Sequence, residues 1–95
     1  MNIPAELAIR HNPTGQCFHV DVDGHQARLE YRKEGPRMVI THTGVPAAIG
    51  GKGIAGALTV AALDYARAAG LKVVPACEYA AVFLRRHDEY ADLVE

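Results

Sequence analysis

The chain of 95 residues lacks tryptophan and has only two cysteines, and neither sign of charge dominates. Ten basic residues against eleven acidic ones create no field that would hold a polyphosphate backbone without a local patch. Nucleic acid is therefore a poor candidate partner. Cys17 and Cys77 form no CxxC pair and have no metal-like spacing to histidine, so we expect free thiols and no metal.

Long hydrophobic runs are also missing. The longest weakly polar stretch, residues 54–69, contains Thr59, Asp64 and Arg67 and is too short and too polar to cross a bilayer. Residues 1–9 lack the basic region and apolar run of a signal peptide. We therefore expect a cytoplasmic protein. Apolar residues make up 49% of the chain and charged residues 22%, which is typical of one globular domain covering residues 1–95.

The hydrophobic period changes near Gly50 from about two residues to about 3.6. Before this point, four short β-prone runs alternate with turn residues, at 7–10, 17–22, 27–31 and 38–43. Asp23-Gly24 is the strongest hairpin signal, because both positions of such a turn need a positive φ. These runs predict an antiparallel meander of four strands. His11, His19 and His25 lie among turns and strand ends, where we expect them to face solvent.

After the glycines, apolar residues recur at helical spacing from Ile54 to Ala69, and Gly70 follows as the helix end. Residues 71–74 then resemble a buried strand closed by Pro75. A helix of this length between two strands predicts a right-handed crossover and a parallel fifth strand. Residues 79–86 predict a short second helix, and the tail supplies Tyr90, Leu93 and Val94 as docking side chains. The fold class is α/β, with one mixed sheet.

A glycine-rich loop joins the fourth strand to the long helix. It comprises Gly50, Gly51, Lys52, Gly53, Ile54, Ala55 and Gly56. At a helix start several N–H groups lack intrahelical partners and the helix dipole is positive, which attracts phosphate. Glycines permit close approach of an anion, and a lysine adds charge. The loop therefore predicts a pyrophosphate site, with a plain flexible turn as the alternative.

Known phosphate loops differ in their spacing. The P-loop pattern fails, because Pro46 occupies its first glycine position and Gly53 follows Lys52 where a hydroxyl should bind magnesium. Gly51, Gly53 and Gly56 fit dinucleotide spacing, and Glu78 lies at about the distance of the ribose-binding acid. A single βαβ unit supplies no second mononucleotide half, however, so this match is weak.

Coenzyme A remains, and here the sequence resembles the GNAT acetyltransferases, especially their small single-domain YjdJ-type branch. The resemblance covers nearly the whole chain and rests on four segments. These are His42-Thr43 with Val45-Pro46, the run 51–58, Pro75-Ala76-Cys77, and Leu84-Arg85-Arg86-His87 with Glu89-Tyr90. The GNAT loop pattern has Gln or Arg where this chain has Gly50, whereas Gly53 and Ala55 match. One phosphate contact of the family is therefore missing unless Lys52 replaces it.

The resemblance implies a GNAT-like sheet in which strands four and five separate to admit the pantetheine arm of acetyl-CoA. It also implies that the arm bonds to the backbone of strand four and the following turn, at Thr41, Thr43, Gly44 and Val45. An opened strand pair leaves N–H and C=O groups that an amide-bearing arm can satisfy. The implied chemistry is transfer of an acetyl group to an amine.

Cys77 follows the fifth strand near the start of the second helix, where the helix N-terminus favours a thiolate. It is the candidate nucleophile, and the resemblance implies that it lies near the coenzyme A sulfur. A small buried side chain is the alternative. His42 is a candidate base. The alternative is that it is simply a histidine at a strand end, without a function. Glu78 can act in the same way or simply favour the helix N-terminus.

Arg85 and Arg86 lie at the end of the second helix, where cations suit the dipole, and one of them is a candidate ligand of the 3′-phosphate. The predicted function is an N-acetyltransferase that uses acetyl-CoA and an amine acceptor: a protein lysine, a polyamine or a small metabolite. The alternatives are a noncatalytic module that binds coenzyme A or acyl-CoA and, third, a small nucleotide-binding protein. The sequence specifies neither the acceptor nor the oligomeric state.

Overall fold

A computed structural model describes residues 7–95. Its five strands form one sheet whose spatial order follows the chain. The strands are β1 (Arg10–Asn12), β2 (Cys17–Val22), β3 (His25–Glu34), β4 (Arg37–Gly44) and β5 (Lys72–Pro75). The helices are α1 (Ile54–Ala69) and α2 (Glu78–Arg86), with 3-10 helices at Ala47–Ile49 and Asp88–Leu93. Strands β1 to β4 are antiparallel, and β5 is parallel to β4. The predicted mixed sheet, with two helices, is confirmed.

The β2–β3 hairpin has the predicted two-residue turn. Val22 pairs with His25, and the turn residues Asp23 and Gly24 have φ values of 51° and 78°. A turn with two positive φ values matches the right-handed twist of the strands that it joins. This tight turn fixes which residues of β3 face the core.

Strand β3 is longer than the predicted 27–31. Its buried residues Ala27, Leu29 and Tyr31 alternate with charged residues on the solvent face. There Arg28 Nε lies 3.3 Å from a carboxylate oxygen of Glu30, and the pair Arg32 and Glu34 repeats the arrangement at 2.9 Å. The residues added to the prediction, 25–26 and 32–34, are all polar or charged and made the ends of the strand resemble turns in the sequence.

Strand β1 is displaced from its predicted position at 7–10. It begins at Arg10, and Asn12 pairs with Cys17 across the turn. The Asn12 side chain accepts a hydrogen bond from the Gly15 N–H at 3.0 Å and so closes the turn that follows the strand. Leu7 and Ile9, predicted to belong to the strand, pack against the core as irregular chain.

His11 is not the solvated residue that the sequence suggested. Its ring stacks on Phe18 with centroids 4.1 Å apart, hydrogen-bonds the Tyr31 hydroxyl, and meets the Tyr65 ring edge-on at 4.4 Å. Burial lowers the pKa of His11 below its usual value. His11 thus anchors the short edge strand β1 to the face of the sheet that α1 covers.

Helix α1 packs across the sheet as predicted and ends at Gly70, whose φ of 72° closes the last turn. Its apolar stripe contributes Leu58, Ala62, Leu63 and Ala66 to the core, all fully buried. The chain then returns to the sheet as β5, beside β4. The crossover therefore sets the N-terminus of α1 at the carboxyl end of β4.

The C-terminal tail docks as a 3-10 helix with Leu93 buried, as expected. Val94 docks through its backbone, because it bridges to Val73 of β5 while its side chain is 37% exposed. Arg67 of α1 binds the tail through the Asp92 carboxylate at 2.7 Å. The tail covers part of the outer edge of β5.

Within residues 7–95, no helix is long and apolar enough to cross a membrane. The interpretation of the N-terminus as something other than a signal peptide falls largely on residues 1–6, which lie outside the described residues.

Candidate active site

The parallel pair β4–β5 opens at Ile40. Pairing runs from Arg37 with Lys72 to Ile40 with Pro75, and the Ile40 carbonyl then accepts hydrogen bonds from both Ala76 and Cys77 N–H groups at 3.0 Å. Strand β4 continues four residues further, to Gly44, while the other chain turns away into α2. Within the described chain no strand pairs with β4 on that side beyond Ile40. The strands therefore diverge where the sequence resemblance requires a cleft.

A β-bulge reorients the end of β4. Tyr31 pairs with Ile40 and Glu30 pairs with His42, so Thr41 is the extra residue, and its hydroxyl donates to the Glu30 carbonyl at 3.2 Å. Because paired residues share a face of the sheet, Thr43, the partner of Leu29, lies on the core face with Ile40.

His42 lies on the opposite, solvent face. It is exposed, and its Nε2 is 2.9 Å from where a β-carbon on Gly44 would stand. Gly44 therefore leaves room for the imidazole along the strand. The structure contains no hydrogen bond between His42 and Cys77, so these two candidates are not joined as a nucleophile–base pair.

Cys77 is the N-cap residue of α2. Its Sγ accepts a hydrogen bond from the Ala80 N–H at 3.4 Å and lies 3.7 Å from Oγ1 of Thr43. The thiol is half-buried, whereas Cys17 is 2% exposed, and neither forms a disulfide. Cys77 thus combines partial access with two polar neighbours.

The glycine loop has the backbone conformation that only glycine adopts readily. Gly51 and Gly53 have φ values of 75° and 74°, and the space beside both is open. Gly53 is the N-cap of α1 and offers no side chain to satisfy the first N–H groups of the helix. The first intrahelical bond from an N–H group is made by Ala57 to Gly53. The N–H groups of residues 54–56 are therefore available to an anion.

Residues of the glycine loop differ in what they can offer a ligand. Ile54 is buried in the core and Gly56 is buried in the first helical turn, so either can offer only a backbone group. Lys52 is exposed, but its Nζ lies 3.1 Å from Oδ2 of Asp23 in the β2–β3 turn. The expected phosphate ligand thus has a carboxylate partner 29 residues away, which the sequence did not reveal.

The remaining candidates surround this edge of the sheet. Val45 packs against the core just after β4, and Glu78 is the exposed first residue of α2. Arg85 and Arg86 are exposed in the last turn of α2, about 12 Å from Cys77 at 1.5 Å per residue. The structure thus places them at the other end of α2 from the thiol.

Two features of the site were missed. The Thr43 side chain faces Cys77 only because of the bulge, and no alternation pattern signals a bulge. Tyr79 is 39% exposed two residues after Cys77. Burial of its ring still raises the pKa of Tyr79, so the phenol stays protonated at neutral pH.

Both helices begin at one edge of the sheet. Helix α1 follows β4 and α2 follows β5, and the carboxyl ends of parallel strands meet at the same edge. The positive ends of two helix dipoles therefore flank the gap between β4 and β5. This edge suits a ligand with an anionic group and an amide-bearing arm.

Comparison with known proteins agrees with this geometry. Residues 17–93 match the family model of GCN5-related N-acetyltransferases. The fold is also similar to the NMR solution structure of a GCN5-like protein from Staphylococcus aureus, described as a candidate N-acetyltransferase. The TM-score is 0.76 at 29% sequence identity, and the match covers 96% of this chain and 90% of that one. This chain belongs to the GCN5-related N-acetyltransferase family.

Proposed function

We propose that this chain transfers the acetyl group of acetyl-CoA to an amine at the gap between β4 and β5. The observation that carries the proposal is the separation of the two strands after Ile40, beside the N-termini of α1 and α2. A gap between parallel strands offers backbone hydrogen bonds to an extended arm, and the helix ends offer N–H groups to phosphate. Family membership supports acyl transfer as the reaction.

The residues at this edge fit coenzyme A. The free N–H groups of residues 54–56, reached through Gly51 and Gly53, suit the pyrophosphate. The backbone of Thr41, Thr43, Gly44 and Val45 suits the pantetheine arm, since β4 has no described strand partner on its β5 side beyond Ile40. A dinucleotide is a poorer fit, because the sheet has one parallel pair and no second mononucleotide half.

Acetyl-CoA supplies a thioester whose carbonyl carbon accepts a nucleophile. In the route through Cys77, its thiol loses a proton, the thiolate sulfur bonds to the acetyl carbon, and coenzyme A leaves as a thiolate that takes up a proton. An amine then attacks the acetyl-cysteine, the new C–N bond replaces the C–S bond, and Cys77 regains its proton from the amine. Backbone N–H groups near Val45 stabilise the developing oxyanion.

In the second route the amine attacks the thioester directly, and His42 or Glu78 accepts its proton. Both side chains are exposed, and His42 lies on the solvent face of β4. An amine arriving from that face would meet His42 before it reached Thr43. The acceptor in this proposal is an amine of unspecified type: a protein lysine, a polyamine or a small metabolite.

Ligand binding is tested by thermal unfolding. Coenzyme A and acetyl-CoA should both raise the unfolding temperature, while NAD and ATP at equal concentration should not, because only the former carry pantetheine. At a hundredfold excess over Kd the gain is about 2.7 kcal/mol. Each kcal/mol moves the midpoint of a domain this size by roughly 4 to 8 °C. Equal shifts with NAD would contradict the proposal.

The two routes are separated by mass spectrometry. If Cys77 is the nucleophile, acetyl-CoA without acceptor should acetylate it, and adding an amine should remove the adduct as fast as turnover requires. Cys77→Ala should lose adduct and turnover but keep coenzyme binding, whereas the control Cys17→Ala should keep all three. Near-normal turnover of Cys77→Ala would instead support direct transfer. Absence of transfer to a broad panel of amines would contradict catalysis.

A further inference from the structure

The bulge in β4 gives the Thr43 side chain a position that simple alternation would not. Counting from the core-facing Ile40, a regular strand would turn His42 to the core face and Thr43 away from it. Thr41 adds one residue, and Thr43 therefore pairs with Leu29 on the core face. Its Oγ1 lies 3.7 Å from the Cys77 sulfur, within reach of a hydrogen bond to sulfur.

The Cys77 sulfur is held from two directions. The Ala80 N–H donates to it from the first turn of α2, and the Thr43 hydroxyl approaches it from β4. The Cys77 backbone N–H is in turn bound to the Ile40 carbonyl, immediately before the bulge. Strand β4 thus positions both the backbone and the side chain of this cysteine.

We propose that Thr43 is a positioning residue that donates a hydrogen bond to the Cys77 thiolate and aims it into the gap between β4 and β5. This rests on the role of Cys77 in the proposed function. When Cys77 is a neutral thiol, either atom can donate. Once the thiol has lost its proton, only the Thr43 hydroxyl can, so the bond favours the thiolate.

Thr43→Val tests this with little change of shape, because valine replaces the hydroxyl by a methyl group. Thr43→Ser restores the hydroxyl. Thr14→Val makes the same chemical change at an exposed turn residue between β1 and β2, away from β5 in the sheet order. Thermal unfolding establishes that each variant is folded. If Thr43→Val fails to fold, Thr43→Ser is compared with Thr43→Ala instead.

The first readout is the alkylation of Cys77 by iodoacetamide in the free protein, followed on the Cys77 peptide so that Cys17 does not interfere. The rate near pH 7 is divided by the rate near pH 9.5, where most ordinary thiols are ionised. Loss of one hydrogen bond to a charged group should lower this ratio about tenfold in Thr43→Val. Thr43→Ser should stay within about threefold of wild type, and Thr14→Val should not change.

The second readout is turnover with acetyl-CoA. Thr43→Val should lower kcat by about the same factor as it lowers the alkylation ratio. It should leave KM for acetyl-CoA nearly unchanged, since the backbone of residue 43 is intact. The inference is overturned if Thr43→Val alkylates like wild type. If the alkylation ratio falls while Cys77→Ala keeps its turnover, Thr43 still controls the thiolate, and the nucleophilic role of Cys77 is what fails.

Discussion

The two ends of α1 allow the phosphate site to be tested with matched glycine substitutions. Gly53 at the N-terminus and Gly70 at the C-terminus have nearly the same backbone, with φ and ψ of 74° and 15° against 72° and 26°. Neither position has an atom near the place of a new β-carbon. The helix of 16 residues separates them by about 24 Å. A substitution at either end therefore imposes the same local strain at very different distances from the site.

An alanine in the left-handed region costs about 1 to 2 kcal/mol. Gly53→Ala and Gly70→Ala should each lower the unfolding temperature by roughly 4 to 16 °C and differ little from each other. Glutamate separates the two positions. A carboxylate at the N-terminus gains from the helix dipole, whereas one at the C-terminus loses, by about 0.3 to 1 kcal/mol each. Gly53→Glu should therefore be the more stable of the two glutamate variants.

Coenzyme binding should show the reverse order. A carboxylate about 4 Å from a phosphate charge costs about 1 kcal/mol in water and about 4 kcal/mol near a protein surface. Gly53→Glu should weaken the binding of coenzyme A by at least about fivefold, while Gly70→Glu should bind like wild type. Calorimetric titration gives the affinities, and thermal unfolding gives the stabilities. Equal affinities in two folded glutamate variants would refute a phosphate site at the start of α1.

Three further results are expected. Asp23→Asn should strengthen coenzyme A binding about two- to fivefold in calorimetry, because it releases Lys52 from an exposed ion pair; an unchanged Kd would mean that Lys52 does not reach the phosphate. Burial lowers the pKa of His11 below 6.5 in the folded state, so its contribution to stability is present above that pH and is lost as the pH falls below it. In His11→Phe, the fall in unfolding temperature between pH 7.5 and 5.5 should be smaller than in wild type; an identical fall would contradict this role. Replacing Arg85 and Arg86 together by alanine should weaken binding of coenzyme A but not of dephospho-coenzyme A, and an equal loss would place the 3′-phosphate elsewhere.

Most of the fold could be predicted from local signals. Asp23-Gly24 fixed a hairpin, Gly70 ended α1, and the helix between two strands required a parallel β5. The errors occurred where local and tertiary preferences differ. Strand β1 moved to Arg10–Asn12 because the Asn12 side chain closes its own turn, and Leu7 and Ile9 found apolar contacts without strand pairing.

The site was less predictable, since it depends on contacts between distant residues. The glycine loop and the cysteine at the start of α2 are visible in the sequence. The face on which His42 lies is not, because one extra residue at Thr41 inverts the alternation that follows. The partner of Lys52 was equally hidden, since it is set by the approach of the β2–β3 turn to the loop.

Three departures from regular structure lie around the gap between β4 and β5. The ladder ends at Ile40, the bulge follows at Thr41, and left-handed glycines begin α1 at Gly51 and Gly53. A regular β4 paired along its full length would satisfy more backbone groups and would leave no place for an extended ligand. Because proteins tend to break regular structure at functional sites, the start of α1 and the gap form one candidate site. Closing the gap should therefore stabilise the free protein while it abolishes coenzyme binding.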